Sequence, residues 1–237
     1  MPRIALELSA KPIDFTCHDS VNAALVKLMT DNGLAGAQIV GRDALPWTFA
    51  TKGFSRLGGL SSAHAILVSS PAPQIVETLA RADCSAARVN PVNGDRIDLS
   101  AARIVRETRG PAPGVEELMV HFASPFVVMR PKSGREKTRF HETLEGVDLG
   151  AAFSAGLSRR AGRPVKIEVG LDALTRNVDG QRRLVRTRTD RSGRAIMIPA
   201  FSLPLTLRGT PEDVSFAYLA GLGAKTTGGF GCPILPA

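Results

Sequence analysis

Gly221-Leu222-Gly223-Ala224-Lys225-Thr226-Thr227-Gly228-Gly229-Phe230-Gly231 is the most specific stretch of the chain, and the rest is best read outward from it. It is not a P-loop, because that pattern needs Gly where Ala224 precedes the lysine. It is not a dinucleotide fingerprint either: position 226 is Thr, and too little chain follows for another βα unit. Its five glycines allow backbone amides to approach an anion closely, with Lys225 and two hydroxyls alongside. The alternative is a flexible turn between a helix and a strand. Upstream, Thr210 caps a short helix with Pro211 at its first position and Glu212 and Asp213 at its positive end; downstream, Phe230 to Leu235 reads as a strand.

Short strands and helices alternate through the rest of the chain. Ile4, Leu6 and Leu8 alternate with small or polar residues, as in a half-buried strand. His18-Asp19-Ser20 offers an N-cap for a helix carrying Val21, Ala24, Leu25, Leu28 and Met29, which Asn32-Gly33 stops. Ala63 to Val68 predicts a strand, and Pro73 opens a helix through Ile75, Val76 and Leu79. Gly110-Pro111-Ala112-Pro113-Gly114 is the best linker. Beyond it the order recurs: a strand over Leu118–Met129, a helix over His141–Arg160, and strands near Val165–Val169 and Ile196–Leu207. Each half approximates β-α-β-β-α-β, so the expected fold is α+β, two ferredoxin-like domains in tandem over 1–110 and 115–237.

Composition narrows the function. The 237 residues are 43% hydrophobic and 22% charged, an ordinary globular balance. No run of apolar residues is long enough to span a bilayer, and the acidic Glu7 sits where a signal peptide needs apolar residues. With Cys17, Cys84 and Cys232 far apart, a cytoplasmic protein without disulfides or zinc is expected. The formal charge is +8, and Arg130 to Arg194 carries all of it, with 16 basic against 8 acidic residues. Seven arginines and no lysine lie between Arg176 and Arg194. Arginine's planar fork matches phosphate oxygens and stacks on bases, so a nucleic acid is the expected partner, against the alternative of a solvated basic face. A membrane is not, since the stretch lacks a bulky apolar stripe.

Phe201 to Gly231 resembles the C-terminal signature of the CRISPR repeat-RNA-processing endoribonucleases of the RAMP superfamily: a strand, a short helix, and a G-h-G-x(4–5)-G-F-G loop. Gly221-Leu222-Gly223 and Gly229-Phe230-Gly231 match that loop. Phe122-Ala123-Ser124-Pro125-Phe126-Val127-Val128 is similar to the family's "S-P-h-h-h" strand, and Leu45-Pro46-Trp47-Thr48-Phe49-Ala50 to its "P-F-T-F-S" turn. The resemblance implies metal-independent cleavage of CRISPR repeat transcripts, with no cofactor. The ribose 2′-hydroxyl attacks the adjacent phosphate in line, leaving a 2′,3′-cyclic phosphate and a 5′-hydroxyl, and the stem-loop product stays bound. The implied partners are repeat RNA and other subunits of a CRISPR effector complex.

In many members the base is a histidine about seven residues before the turn. Gln38 to Ala44 contains none. Of the four histidines present, His18 lies where the family builds its site and is one catalytic candidate. Arg42 is the other. It is a poor proton acceptor but able to neutralise a phosphorane, and the arginine content leans towards the divergent members of type IV CRISPR systems. His64 and His121 read as strand positions, and His141 as a phosphate contact opening a basic helix. RNA holding is assigned to Lys52, to Arg159, Arg160 and Arg163, and to Arg182, Arg183, Arg186 and Arg188. In the glycine loop it falls to Gly223, Lys225, Thr226, Thr227 and Gly229. Positions 182, 183 and 186 fit one helical face, while Thr187-Arg188-Thr189 argues for a strand. At 5% aromatic residues, stem recognition is favoured over stacking on single strands. A non-catalytic RAMP subunit that caps crRNA is the alternative.

Overall fold

Alternating apolar residues at the N-terminus build β1 (Arg3–Glu7), in which every residue except Glu7 is buried because both faces of its sheet are covered. The computed structural model describes residues 3–8, 11–41, 43–55, 60–90, 94–130, 140–171, 182–190 and 192–236. After β1 come β2 (Ile13–Phe15), α1 (His18–Asp31), the single turn α2 (Gly36–Ile39), β3 (Thr48–Ser55), β4 (Ser61–Ser69) and α3 (Pro73–Ala80). A small hairpin follows, β5 (Arg88–Val89) and β6 (Ile97–Asp98), and then β7 (Arg103–Arg106). The antiparallel order β7-β1-β4-β3, with β2 continuing β1's edge along β4, is ferredoxin-like. The apolar stripe of α1 (Val21, Ala24, Leu25, Leu28, Met29) packs with Ile75 and Leu79 of α3 and with Trp47 and Phe49 in one core.

The second half repeats the plan with β8 (Glu117–Ser124), α4 (Leu149–Ala161), β9 (Glu168–Gly170), β12 (Leu205–Arg208), α5 (Pro211–Ala220) and β13 (Cys232–Ile234), in the order β13-β8-β12-β9. Between β9 and β12 stands a separate hairpin, β10 (Arg182–Thr189) with β11 (Ala195–Phe201). Phe126, Phe153, Leu157 and Tyr218 centre the second core, where Phe126 and Phe153 meet edge to face at 5.4 Å. Two ferredoxin-like units in tandem is therefore the architecture.

Several elements differ in extent from the sequence reading. The strand expected over Leu118–Met129 pairs continuously only to Ser124, because Pro125 has no N–H to donate to a ladder. The helix expected from His141 starts at Leu149: Gly146 adopts φ +67°, and the Asp148 side chain then accepts the Ala151 N–H as a fresh N-cap. The single strand expected over Ile196–Leu207 is two, β11 and β12, which part at Ser202-Leu203-Pro204 and join different sheets. At the start of α1 the cap position is Cys17, with no side-chain capping bond of its own. Thr210 caps α5 as expected, accepting from the Asp213 N–H.

The two sheets meet through Ala50, Leu67 and Cys232. Buried polar contacts fix that meeting: Thr48 Oγ1 donates to the Phe230 carbonyl at 2.9 Å, Ser69 Oγ to the Leu219 carbonyl at 2.9 Å, and Ser124 Oγ to the Phe49 carbonyl at 3.1 Å. Arg3 does most. From the first strand it lies 3.7 Å over the Tyr218 ring and donates through Nη2 to the carbonyls of Tyr218 (2.8 Å) and Pro233 (2.7 Å). Charge-assisted bonds in a buried joint are stronger than neutral ones, and losing the donor orphans both carbonyls. Arg3→Met keeps the bulk and removes the donor; it is expected to cost about 1–3 kcal/mol in a urea unfolding series. Arg3→Lys should recover only part of it, since an ammonium lacks the planar fork.

Candidate functional site

The glycine loop is held from three sides. Leu222 N–H donates to the Gly231 carbonyl, Gly231 N–H to Pro125 and Ala224 N–H to Val127, each at 2.8 Å. Within the 3-10 turn Thr226–Gly228, Gly228 N–H reaches the Lys225 carbonyl and Gly229 N–H that of Thr226. Arg160 of α4 donates Nη1 to the Gly223 carbonyl (2.9 Å) and Nη2 to the Gly221 carbonyl (2.7 Å). Five of the loop's amides are thus engaged inside the protein, so the loop is a fixed wedge more than an open amide cradle. Burial, with Arg159 adding to it, pulls the Arg160 guanidinium down to about 10, still cationic at neutral pH.

What the wedge presses on is His18. The imidazole, on the first residue of α1, is half-buried, with ring centroids 5.3 Å from Phe230, 6.3 Å from Phe15 and 6.4 Å from Phe49. Gly229 sits at φ +82°, and a Cβ there would lie 2.6 Å from the Phe49 ring and 3.1 Å from His18 Nδ1. Nδ1 is buried and has no well-formed hydrogen bond within the described residues. Burial holds the ring below its ordinary value of 6.5, against an opposing pull from backbone groups of Gly228 and Gly229. His18 is therefore neutral at pH 7, with a lone pair available to accept a proton.

Cations converge on the same end of α1. Burial raises the carboxyl of Asp19, the next residue, while the charges of Lys225 and Arg188 pull it down. Lys225 is exposed and stands at φ +56°, the one non-glycine residue with positive φ among the described residues. That left-handed conformation costs about 1 kcal/mol and turns the lysine outward at the tip of the wedge. Arg188 comes from β10, which packs beside α1. A neutral imidazole and two cations around one helix end can accept a proton next to a negatively charged oxygen.

The family model for the C-terminal part of the CRISPR associated protein Cas6 matches residues 110–233, more than half of the chain. The chain belongs to the Cas6 family. It is thus a CRISPR associated protein. No curated protein sequence matches it. Among solved structures, a RAMP protein described as binding different RNA substrates superposes with TM-score 0.69 at 17% identity, covering 99% of both chains. A Cas6-related gene product from Pyrococcus furiosus gives 0.65 at 16%, covering 99% of this chain and 98% of that one. A Cas6 product complex gives 0.60 at 18%, covering 98% and 97%. At these identities the likenesses establish the Cas6 fold.

On that fold the remaining candidates separate. Arg42 lies outside the described residues. Lys52, on β3, shares a sheet face with Ala50 and points at Glu107 (4.0 Å), away from the face where Phe49 meets His18. Arg163 is committed to α5, with Nη1 2.7 Å from Asp213 and Nη2 2.7 Å from Glu212. The arginines at 182, 183, 186 and 188 lie on a strand, not on a helix. There Arg182 is 3.6 Å from Glu142, and Arg186 donates to Thr189 Oγ1 at 2.9 Å. Arg183 and Arg188 are exposed and form no ion pair with another described residue. Thr226 is buried, Thr227 half-buried, and Gly223 is fixed at its carbonyl by Arg160. His64 and His121 are exposed strand residues. His141 stands in the connection before α4, not in a helix, and burial and Arg130 keep its imidazole below the usual range. With Arg130 and Arg159 it borders a groove of about 610 Å³ beside Gly223.

Of the residues singled out in the sequence, His18 as a catalytic candidate and Gly229, Lys225 and Arg188 as RNA contacts come together at one helix end; Asp19 beside them is not singled out, and its one signal is its place in the first turn after His18. Gly229→Ala is expected to destabilise the protein by about 1–3 kcal/mol through overpacking and left-handed strain together. Gly114→Ala in the linker, with φ +78° but nothing within 4 Å of a Cβ, isolates the strain alone and should cost less in the same thermal melts.

Proposed function

We propose that this protein is a metal-independent endoribonuclease that cuts CRISPR repeat transcripts and keeps the stem-loop product. The observation that carries the reading is the neutral His18 imidazole wedged against Gly229 at the helix end where Lys225 and Arg188 converge. In this reading residues 1–110 supply the base and residues 115–237 hold the RNA. His18 takes the proton of the 2′-hydroxyl through Nε2, the nitrogen opposite the buried Nδ1. The 2′-oxygen bonds to phosphorus, the bond to the 5′-oxygen breaks, and that oxygen leaves with a proton from water. Lys225 and Arg188 neutralise the phosphorane. The products are a 2′,3′-cyclic phosphate and a 5′-hydroxyl.

Arg159, Arg183 and Arg188 contact the stem, and Arg182 and Arg186 extend the basic strand. Arg160 and Arg163 support binding by holding the loop and α5. Lys52 serves RNA passing the exposed rim of the first sheet, and Arg42 a phosphate next to the cut. The product complex then joins the other subunits of an effector complex. A second reading, a non-catalytic subunit capping crRNA, draws on the absence of histidine from Gln38 to Ala44.

Incubation with repeat RNA in EDTA, followed by mapping of the product ends, tests the reading. A single cut at the stem base ending in a cyclic phosphate is expected, and His18→Ala should slow it by about 10²–10⁴-fold. Arg42→Ala is the companion variant. Binding without a cut would replace this reading with the second one, and neither binding nor cutting would remove both. The base must be unprotonated, so the single-turnover rate should rise with pH to a midpoint below 6.5 and stay flat above neutrality. A midpoint near 9 or above would exclude His18 as the base.

A further inference from the structure

α1 starts with no cap from its own sequence, and the residues around its first turn are bound instead by a carboxylate from far along the chain. Asp95, buried in the connection between β5 and β6, accepts the Thr16 N–H on Oδ2 at 3.0 Å and the Thr16 hydroxyl on Oδ1 at 2.9 Å. The buried Ser20 hydroxyl also donates to Oδ2. Cys17 Sγ stands 3.2 Å from Ser20 Oγ and 3.9 Å from Oδ2. Thr16, Cys17 and Ser20 bracket His18, and all three converge on one carboxylate. A negative charge at a helix N-terminus also meets the positive end of the helix dipole, so the contact is favourable as well as specific.

We propose that Asp95 is a positioning residue for His18, fixing the first turn of α1 so that the imidazole meets the glycine loop. The proposal rests on the reading of His18 as the base. Asp95 acts through the helix start, by way of Thr16, Cys17 and Ser20. Without it, four polar groups lose their common acceptor and the turn is free to shift. Misplacement of a reacting group by about 1 Å costs on the order of 100-fold in rate.

The test is a double-mutant cycle in single-turnover cleavage of repeat RNA, joined to an NMR titration of the His18 ring. Asp95→Ala is expected to slow cleavage by about 100-fold while leaving the affinity for an uncleavable 2′-deoxy RNA unchanged. In a His18→Ala background the same substitution should add nothing further. Asp95→Asn should restore most of the rate, because its amide oxygen still accepts from Thr16. The His18 titration should move up towards 6.5 in Asp95→Ala as the ring gains solvent. Thr16→Val removes one bond and should show the same effects at smaller size, should Asp95→Ala fail to fold. An equal slowing in both backgrounds, a loss of affinity matching the loss of rate, or an unchanged or lowered titration would overturn the proposal. If His18→Ala left cleavage intact, the reading of His18 would fall, and the titration would still report whether Asp95 sets the ring's place.

Discussion

At Gly229 there is no room for a methyl group. The loop from the second half of the chain approaches Phe49 and His18 of the first half so closely that a Cβ would overlap the aromatic ring. This contact has consequences at each level. It fixes how the two ferredoxin-like units meet, since the same segment lets Phe230 accept from Thr48. It also desolvates His18, which keeps the imidazole neutral at physiological pH. And it places the exposed Lys225 beside the helix end that carries His18 and Asp19.

The chain tolerates this tight approach because the loop has little freedom left. Arg160 grips two of its carbonyls from α4, and neighbouring strands take its amides. Arg3 braces the opposite side of the joint through Tyr218 and Pro233. A candidate site shared between two units is only as well ordered as their joint, and here the buried Arg3 crosses that joint while Arg160 stiffens the loop that reaches over it. The same economy explains why two arginines expected to grip RNA, Arg160 and Arg163, face carbonyls and carboxylates of the protein itself. Exposed guanidiniums of Arg183 and Arg188 remain on the β10–β11 hairpin.

Much of the fold is legible in the sequence because local chemistry marks it. Pro73, Thr210-Pro211 and the glycine loop each punctuate an element where the structure has one. The errors fall where local pattern and tertiary context diverge. Leu144 and Val147 continue the helical spacing of α4 backwards, yet Gly146 and the capping Asp148 restart the helix later. Arginines at 182, 183 and 186 suit a helix or a strand equally by spacing; pairing with β11 decides it. In the candidate site, His18 is singled out by its place at a helix start and by the family resemblance. Asp95 is not, because a carboxylate capping a helix from another part of the chain leaves no pattern in sequence. Nor does spacing reveal that the loop's amides turn inward, since that depends on Pro125 and Val127 lying beside them.

In the proposed reaction the scissile phosphate sits between His18 and Lys225, on the helix-covered face of the first sheet. A structure of the complex with a repeat RNA made uncleavable by one 2′-deoxy nucleotide at the cut tests it most directly. The expected result places that phosphate against Lys225, with His18 Nε2 within hydrogen-bond distance of where the 2′-hydroxyl would stand. Finding it at the opposite face of the sheet, beside Lys52 and Glu107, would contradict that placement.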